Sequence, residues 1–456
     1  MENILSSSET IDPAVMAGAM LQQHVADNVD ALNRLEPDVG AAILAQLPQE
    51  RAVEVLDQPE LDFAPDIVTH LPPDQAGRLL GAMSADRAAD IFHRLVDPVR
   101  SQLLARLDPD SRAAIQRLLV YPENTAGSLM TTEFVSVPSS WTAGQTLQHV
   151  RQVERTRETI YAIYVLDPQT KRLVRAISLR RLISVEPDAP ILSAARTLEP
   201  ITVSPFTDQE EVGRLFRKHD LLAVPVVDNV GHVLGIVTVD DVIDAILEEG
   251  SEDVQKFGGM QAIEKPYLQI HFGEMIRKRG GWLCVLFLSE MLTASAMQHF
   301  ESELEKALVL TLFIPLIMSS GGNSGSQATS LLIRSLALQE LRLGDWWRVA
   351  LRELPTGLVL GIILGVIGVA RIALWQHFGI YDYGPHWALV AATVGAGLIG
   401  VVTFGSLSGS MLPFILQRLG FDPASASAPF VATLVDVTGL VIYFSVAVVF
   451  LTGTLL

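Results

Sequence analysis

The chain has 456 residues, enough for two to four domains, with 51 acidic against 33 basic side chains and a formal net charge of −18. Residues 277–456 hold ten acids and ten bases, so the whole excess lies in residues 1–276, which carry 41 acids and 23 bases. That balance argues against a nucleic-acid partner, whose phosphates need a basic surface, and suits cations or plain solubility. The one cysteine, Cys284, lies in an apolar run, which excludes an intrachain disulfide and Cys-cluster zinc or iron–sulfur sites. The opening MENILSSSET lacks the basic and apolar regions of a secretory signal.

Residues 35–119 repeat a short pattern, seen in LEPDVGAAILAQL, LPPDQAGRLLGAM, MSADRAADIFHRL and LDPDSRAAIQRLL. Most units open with Pro, or with Ser and Asp, and continue with Ala, Leu and Ile at helical spacing. Proline at the first helical position and a Ser or Asp cap explain each start. Units of this length are short helices that must stack to bury their apolar stripes; a plain helical bundle without true repetition is the other reading.

Residues 133–249 hold a second repetition. VSVPSSWTAGQTLQHVRQ corresponds to ITVSPFTDQEEVGRLFRK, and YAIYVLDPQTKRLVRAISLRRLI to LAVPVVDNVGHVLGIVTVDDVI. Each half predicts a strand, a helix, two β-rich strands around a turn, and a helix. The pair resembles tandem CBS domains (named after cystathionine β-synthase), which commonly bind adenosyl nucleotides such as ATP. In that family a Ser/Thr after the last strand and an Asp three residues later contact ribose and phosphates. The second half matches with Gly235, Thr238 and Asp241, whereas the first has Ser178 but Arg181 in the Asp position.

The second half ends in VDDVIDAILEEGSEDVQKF. Asp240, Asp244, Glu248 and Glu252 stand at successive i, i+4 positions, and Asp241, Glu249 and Asp253 form a row one residue on, interrupted by Ala245. Like charges at that spacing destabilise a helix by a few tenths of a kcal/mol per pair, which a bound cation would offset. Such oxygen ligands suit Mg²⁺ or Ca²⁺ rather than soft metals. The bland alternative is a solvated acidic face, and Gly250 is a candidate break. The stretch after Phe257, GGMQAIEKPYLQIHFGEMIRKR, reads as a connecting helix running to the membrane.

Apolar stretches follow at about 282–298, 307–333, 354–377, 388–416 and 428–455, each near or above the length that crosses a bilayer. Arg277, Lys278 and Arg279 precede the first; Arg334, Arg342, Arg348 and Arg352 lie in the second connection and Arg418 in the fourth. The other connections are poor in bases, so the N-terminus is expected in the cytoplasm and the C-terminus outside.

Two membrane segments carry chemistry. In PLIMSSGGNSGSQATS, residues 315–330, glycine pairs and small polar residues permit local unwinding beside a wet cavity or tight helix packing. In GSMLPFILQRLGFDPASASAPFVATLVDVTGLVIYF, residues 409–444, Asp436 has long apolar flanks. A carboxylate at that depth costs about 2.5–3.5 kcal/mol on insertion scales, so it lines an ion path or has a partner. No base lies within its span, although another helix can offer Arg371. Glu290 in the first span is a weaker case. No Gly-Lys phosphate loop, nucleophile elbow or HExxH pattern is present, so an enzyme is not expected.

YPENTAGSLMTTEF at 121–134, PLIMSSGGNSGSQ at 315–327 and DPASASAPFVATLVDVTG at 422–439 together make the chain resemble the MgtE magnesium channels over nearly its whole length. The resemblance implies a multidomain membrane protein: an all-α N-terminal solenoid (1–128), an α/β tandem CBS pair (129–250), a connecting helix (251–279) and a five-helix transmembrane domain (280–456). It implies a homodimer in the plasma or inner membrane, with a Mg²⁺ pore lined by the second and fifth spans of both subunits. Asp436 matches the pore carboxylate, the Ala432 backbone carbonyl lies one turn before it, and Asn323 is a further pore candidate. Asp422 matches a carboxylate near the cytoplasmic mouth that engages regulatory Mg²⁺, and Glu248, Glu249, Glu252 and Asp253, with Asp240 and Asp244 of the same row, fall where such channels bind it. A carrier exchanging Mg²⁺ or other divalent cations for Na⁺ or H⁺ is the alternative.

Overall fold

The computed structural model describes residues 12–455 apart from 155, 156, 158, 197, 264–266, 268 and 269. It divides into two compact units, Met1–Glu249 and Gly250–Leu456.

The first unit opens with short helices α1 (Pro13–Met20), α2 (Val25–Leu32), α3 (Pro37–Leu44), α4 (Gln49–Leu56), α5 (Ala64–His70), α6 (Pro73–Ala82), α7 (Ala85–Arg94), α8 (Asp97–Leu104) and α9 (Pro109–Leu118). Pro37, Pro73 and Pro109 start their helices as expected, and Pro13 starts one ahead of the repeat, where the missing N–H has no intrahelical partner to lose. Asp108 caps α9 by accepting from the amides of Asp110 and Ser111, both at 3.0 Å. Helices this short are unstable alone. They persist by burying one stripe each: Ile43 and Leu44, Val55 and Leu56, Leu79 and Leu80, Ile91 and Phe92 are all buried.

After α10 (Ala126–Leu129) come β1 (Val135–Pro138), α11 (Ala143–Val153), β2 (Ala162–Leu166), β3 (Leu173–Ser178) and α12 (Leu179–Ile183). β1 runs parallel to β2, and β2 antiparallel to β3. The second copy has α13 (Gln209–His219), β4 (Ala223–Val227), β5 (Val233–Thr238) and α14 (Val239–Phe257), with β4 and β5 antiparallel. Its expected first strand is reduced to one parallel bridge, Val203 to Val226. Thr131 binds the other edge, exchanging bonds of 2.8 and 2.9 Å with Ile236. Gly235 is required there, because a Cβ would sit 2.5 Å from the Thr131 carbonyl oxygen. One core runs from Met16 through the helices to Val242, so the helical part and the second β-unit are packed together. The first β-unit keeps its own core around Val135, Ile163 and Ile177.

Two expectations change at the boundary between the units. Gly250 does not break α14, which continues to Phe257. The stretch 251–279 is not one connecting helix: α14 stops before Gly258 and Gly259, the latter at φ +74°, a left-handed conformation that favours glycine. The next described α-helix starts at Phe272, and Arg277, Lys278 and Arg279 belong to this first membrane helix itself.

The second unit holds α15 (Phe272–His299), α16 (Glu301–Lys306), α17 (Ile314–Ala337), α18 (Trp346–His377), α19 (Trp387–Arg418) and α20 (Ala428–Leu451). All but α16 lie in the five segments long and apolar enough to cross a membrane. α17 is unbroken through its glycine pairs, so tight packing, not unwinding, accounts for them. A Cβ on Gly405 would collide with the Gly321 carbonyl, and one on Gly409 with that of Gly325. Two hydroxyl contacts reinforce the crossing: Ser324 to Ser406 at 2.6 Å, and Thr329 Oγ1 donating to the Gly409 carbonyl at 2.8 Å.

Candidate functional site

α20 begins where Ser427 caps it, accepting from the Phe430 amide at 3.4 Å, and Pro429 occupies its first turn. Asp436 follows about two turns further in and is half-buried. Among the described residues no base pairs with it; the charge within electrostatic reach is that of Glu290 on α15. The alternative partner, Arg371, is engaged elsewhere, its guanidinium 4.0 Å from the Trp375 ring centroid and 5.7 Å from that of Phe313. A cation there is held by aromatic faces.

Ala432 stands beside Asp436 on the same helix, half-buried near Gly322, where a Cβ would be 3.4 Å from its own. Its carbonyl lies in the ladder of an unbroken helix. Asn323 is exposed on α17 and its amide donates to Ser319 Oγ at 3.4 Å. With Gln327 these two form an exposed polar row at i, i+4 and i+8.

The acidic row of α14 does not converge. Among the described residues no three Asp, Glu, His or Cys side chains are placed to hold one metal ion. Instead successive carboxylates turn to different neighbours. Glu248 lies 4.0 Å from Arg94 of α7. Burial pushes the Asp90 carboxyl up to about 7 against the pull of Arg87 and Arg94, with Asp241 and Glu248 adding to the rise. Asp244 is also raised, by burial and then by Glu60 and Asp240. Glu249 accepts from Gln209 Nε2 at 3.2 Å, and burial followed by the Glu249 charge pushes Glu210 up to about 7. Asp253 is half-buried one position beyond Glu252.

Glu252 has a cationic partner. Lys256 Nζ sits 2.5 Å from its Oε1 and 2.6 Å from Asp422 Oδ2 in the loop between α19 and α20. Partial burial pulls this ammonium down, but the bonds and charges of Asp422 and Glu252 outweigh it and hold it above the ordinary lysine range. Asp422 also accepts from the Ala424 amide at 2.8 Å. Lys256 was not singled out from sequence, although an acid followed by a lysine four residues later is a known helix pair. Arg87, Arg94 and Glu210 were missed for want of any local signal.

In the second β-unit Thr238 is buried and donates its hydroxyl to Asp241. In the first, Ser178 is exposed and Arg181 Nη1 donates to the Ala194 carbonyl at 3.4 Å. The two candidate nucleotide positions therefore differ in local chemistry.

A helical and α/β part followed by five apolar helices, with an unneutralised carboxylate in the last, has the design of a membrane transporter for divalent cations. The family described as MgtE, divalent cation transporter, matches residues 314–446; the MgtE intracellular N domain matches 23–124 and the CBS domain 196–248. The magnesium transporter MgtE of Thermus thermophilus is 42% identical over 334 residues, which is 73% of this chain and 71% of that one. That of Enterococcus faecalis is 36% identical, over 74% and 71% of the two chains. A crystal structure of the cytosolic domain of the Mg²⁺ channel MgtE in complex with ATP is similar at 35% identity and a TM-score of 0.47, over 50% of this chain and 92% of that one. The chain belongs to the MgtE family of magnesium transporters.

Proposed function

We propose that the chain forms a homodimeric, Mg²⁺-selective channel in the plasma membrane, closed by Mg²⁺ on its cytoplasmic side. The observation that carries this reading is Asp436, a half-buried carboxylate within a membrane helix with no basic partner among the described residues. Such a group is retained where it meets an ion or water. Mg²⁺ sheds its water reluctantly. Asp436 from each of two subunits therefore accepts hydrogen bonds from the ion's water shell, and the row of Ser319, Asn323 and Gln327 offers neutral polar groups along the path. α15 exposes Leu283, Phe287, Leu288 and Leu292, a surface for lipid or a second subunit.

Gating follows from the acidic side chains of α14. Mg²⁺ at Asp240, Asp244, Glu248 or Glu249, and separately Mg²⁺ at Glu252, Asp253 or Asp422, favours the closed form because it binds that form better. An adenosyl nucleotide at Thr238 and Asp241 is a separate modulator in this scheme. The test is Mg²⁺ flux into liposomes by full-length Asp436→Asn. Loss of about 1.4 kcal/mol of attraction lowers flux about tenfold, while gel filtration shows an unchanged assembly. Wild-type flux in the variant contradicts the assignment, and strict coupling of flux to a Na⁺ or H⁺ gradient makes the protein an exchanger.

A further inference from the structure

The end of α14 supplies a cation of its own. Lys256 Nζ bridges Glu252, one turn earlier, and Asp422, 166 residues later, at 2.5 and 2.6 Å. Two further contacts lie at the start of α20, the helix that carries Asp436, one from α15 and one from the turn that follows α14. Trp282 Nε1 donates to Ser427 Oγ, the N-cap of α20, at 3.1 Å. Gly259, turned at φ +74°, lies so close to Trp282 and Pro429 that a Cβ would be 2.9 Å from the indole and 3.2 Å from the proline ring. The Lys256 side chain is 24% exposed, and those of Glu252 and Asp422 are 26% and 34% exposed.

We infer that Lys256 is a tethered competitor of Mg²⁺: it holds Glu252 and Asp422 together when the ion is scarce, and its displacement sets the Mg²⁺ concentration at which the ion takes over. The inference rests on the proposed gating by cytoplasmic Mg²⁺ and adds what regulates that step. An ammonium within 2.6 Å of both oxygens occupies the space of an ion whose oxygen ligands stand at about 2.0–2.1 Å, so the two cations exclude each other. The exchange is favourable in sign. One positive charge between two negative ones leaves the cluster at −1, whereas a divalent ion neutralises it. The lysine therefore raises the concentration of Mg²⁺ needed to occupy the Glu252 and Asp422 pair.

Hydrogen exchange of full-length protein in detergent, titrated with MgCl₂ and read on peptides spanning 250–260 and 420–428, tests this without reference to transport. For Lys256→Met, exchange without Mg²⁺ is faster than wild type, and protection is reached at a Mg²⁺ concentration at least about fivefold lower, the low end of ordinary coupling between sites. Lys256→Arg keeps the charge and stays near wild type. An unchanged or higher protecting concentration in Lys256→Met overturns the inference. The companion measurement is the cytoplasmic Mg²⁺ that halves conductance in wild type and Lys256→Met. A wild type whose conductance ignores Mg²⁺ removes the gating reading, while the exchange titration still decides whether the lysine and Mg²⁺ compete.

Discussion

In the N-terminal unit the helices meet through side chains: Ile43, Leu44, Leu56 and Phe92 are each fully buried and share one core. In the membrane unit α17, α18 and α19 meet through backbone, with Gly321 on Gly405, Gly325 on Gly409, and Gly361 against the Ile399 Cα. The solvent explains the difference. Water drives apolar side chains together wherever they fit, whereas lipid gives them no preference for protein, so helices associate by close approach and by hydrogen bonds. The charge follows nearly the same division, since the whole excess of −18 lies outside residues 277–456.

The largest expected effect comes from adding one methyl group in the membrane unit. Gly409→Ala forces α17 and α19 apart where a Cβ meets the Gly325 carbonyl, and the variant fails to elute as a monodisperse species on gel filtration. In the N-terminal unit the test of side-chain packing removes atoms instead. Phe92→Ala, at a fully buried site, costs about 3–5 kcal/mol, measured as a lower denaturant midpoint for the N-terminal unit's transition. Losing a hydroxyl at the helix crossing is milder. Thr329→Val deletes the 2.8 Å bond to the Gly409 carbonyl and costs about 0.6–1.7 kcal/mol in unfolding of the membrane part. A Thr329→Val loss as large as that of Phe92→Ala would erase the contrast between the units.

The smallest effect concerns pH. Glu210 is raised to about 7, so the folded state holds a proton that the unfolded state releases near 4.5. Stability from this group is greatest below that lower value and declines as pH rises toward 7. Glu210→Gln removes the decline, narrowing the difference in melting temperature between pH 5.5 and pH 8 by about 1–2 °C once solvent screening is allowed for.

Much of this architecture was legible because its signals are local. Proline starts, β-rich pairs and charge-free runs each report on a few neighbouring residues, and Asp436 stood out against its apolar flanks. The course of α14 was not. Gly250 reads as a break, yet the helix passes through it, and the turn comes at Gly258 and Gly259, where the chain packs on Trp282 and Pro429. The acidic row reads as one face, but Arg94, Gln209 and Lys256 divide it among three neighbours. Arg94 and Gln209 are set by tertiary contacts that the spacing of the acids does not encode, whereas Lys256 meets Glu252 as a local i, i+4 pair. Asp422 pairing with Lys256 is the extreme case, a contact across 166 residues.

Recording single channels of the purified protein in planar bilayers, with Mg²⁺ as the permeant cation and titrated on the cytoplasmic side, addresses the central claim most directly. Discrete Mg²⁺ currents that disappear as cytoplasmic Mg²⁺ rises, and that Asp436→Asn reduces about tenfold, are the predicted result. Absence of unitary currents alongside Mg²⁺ movement coupled to another ion would contradict it.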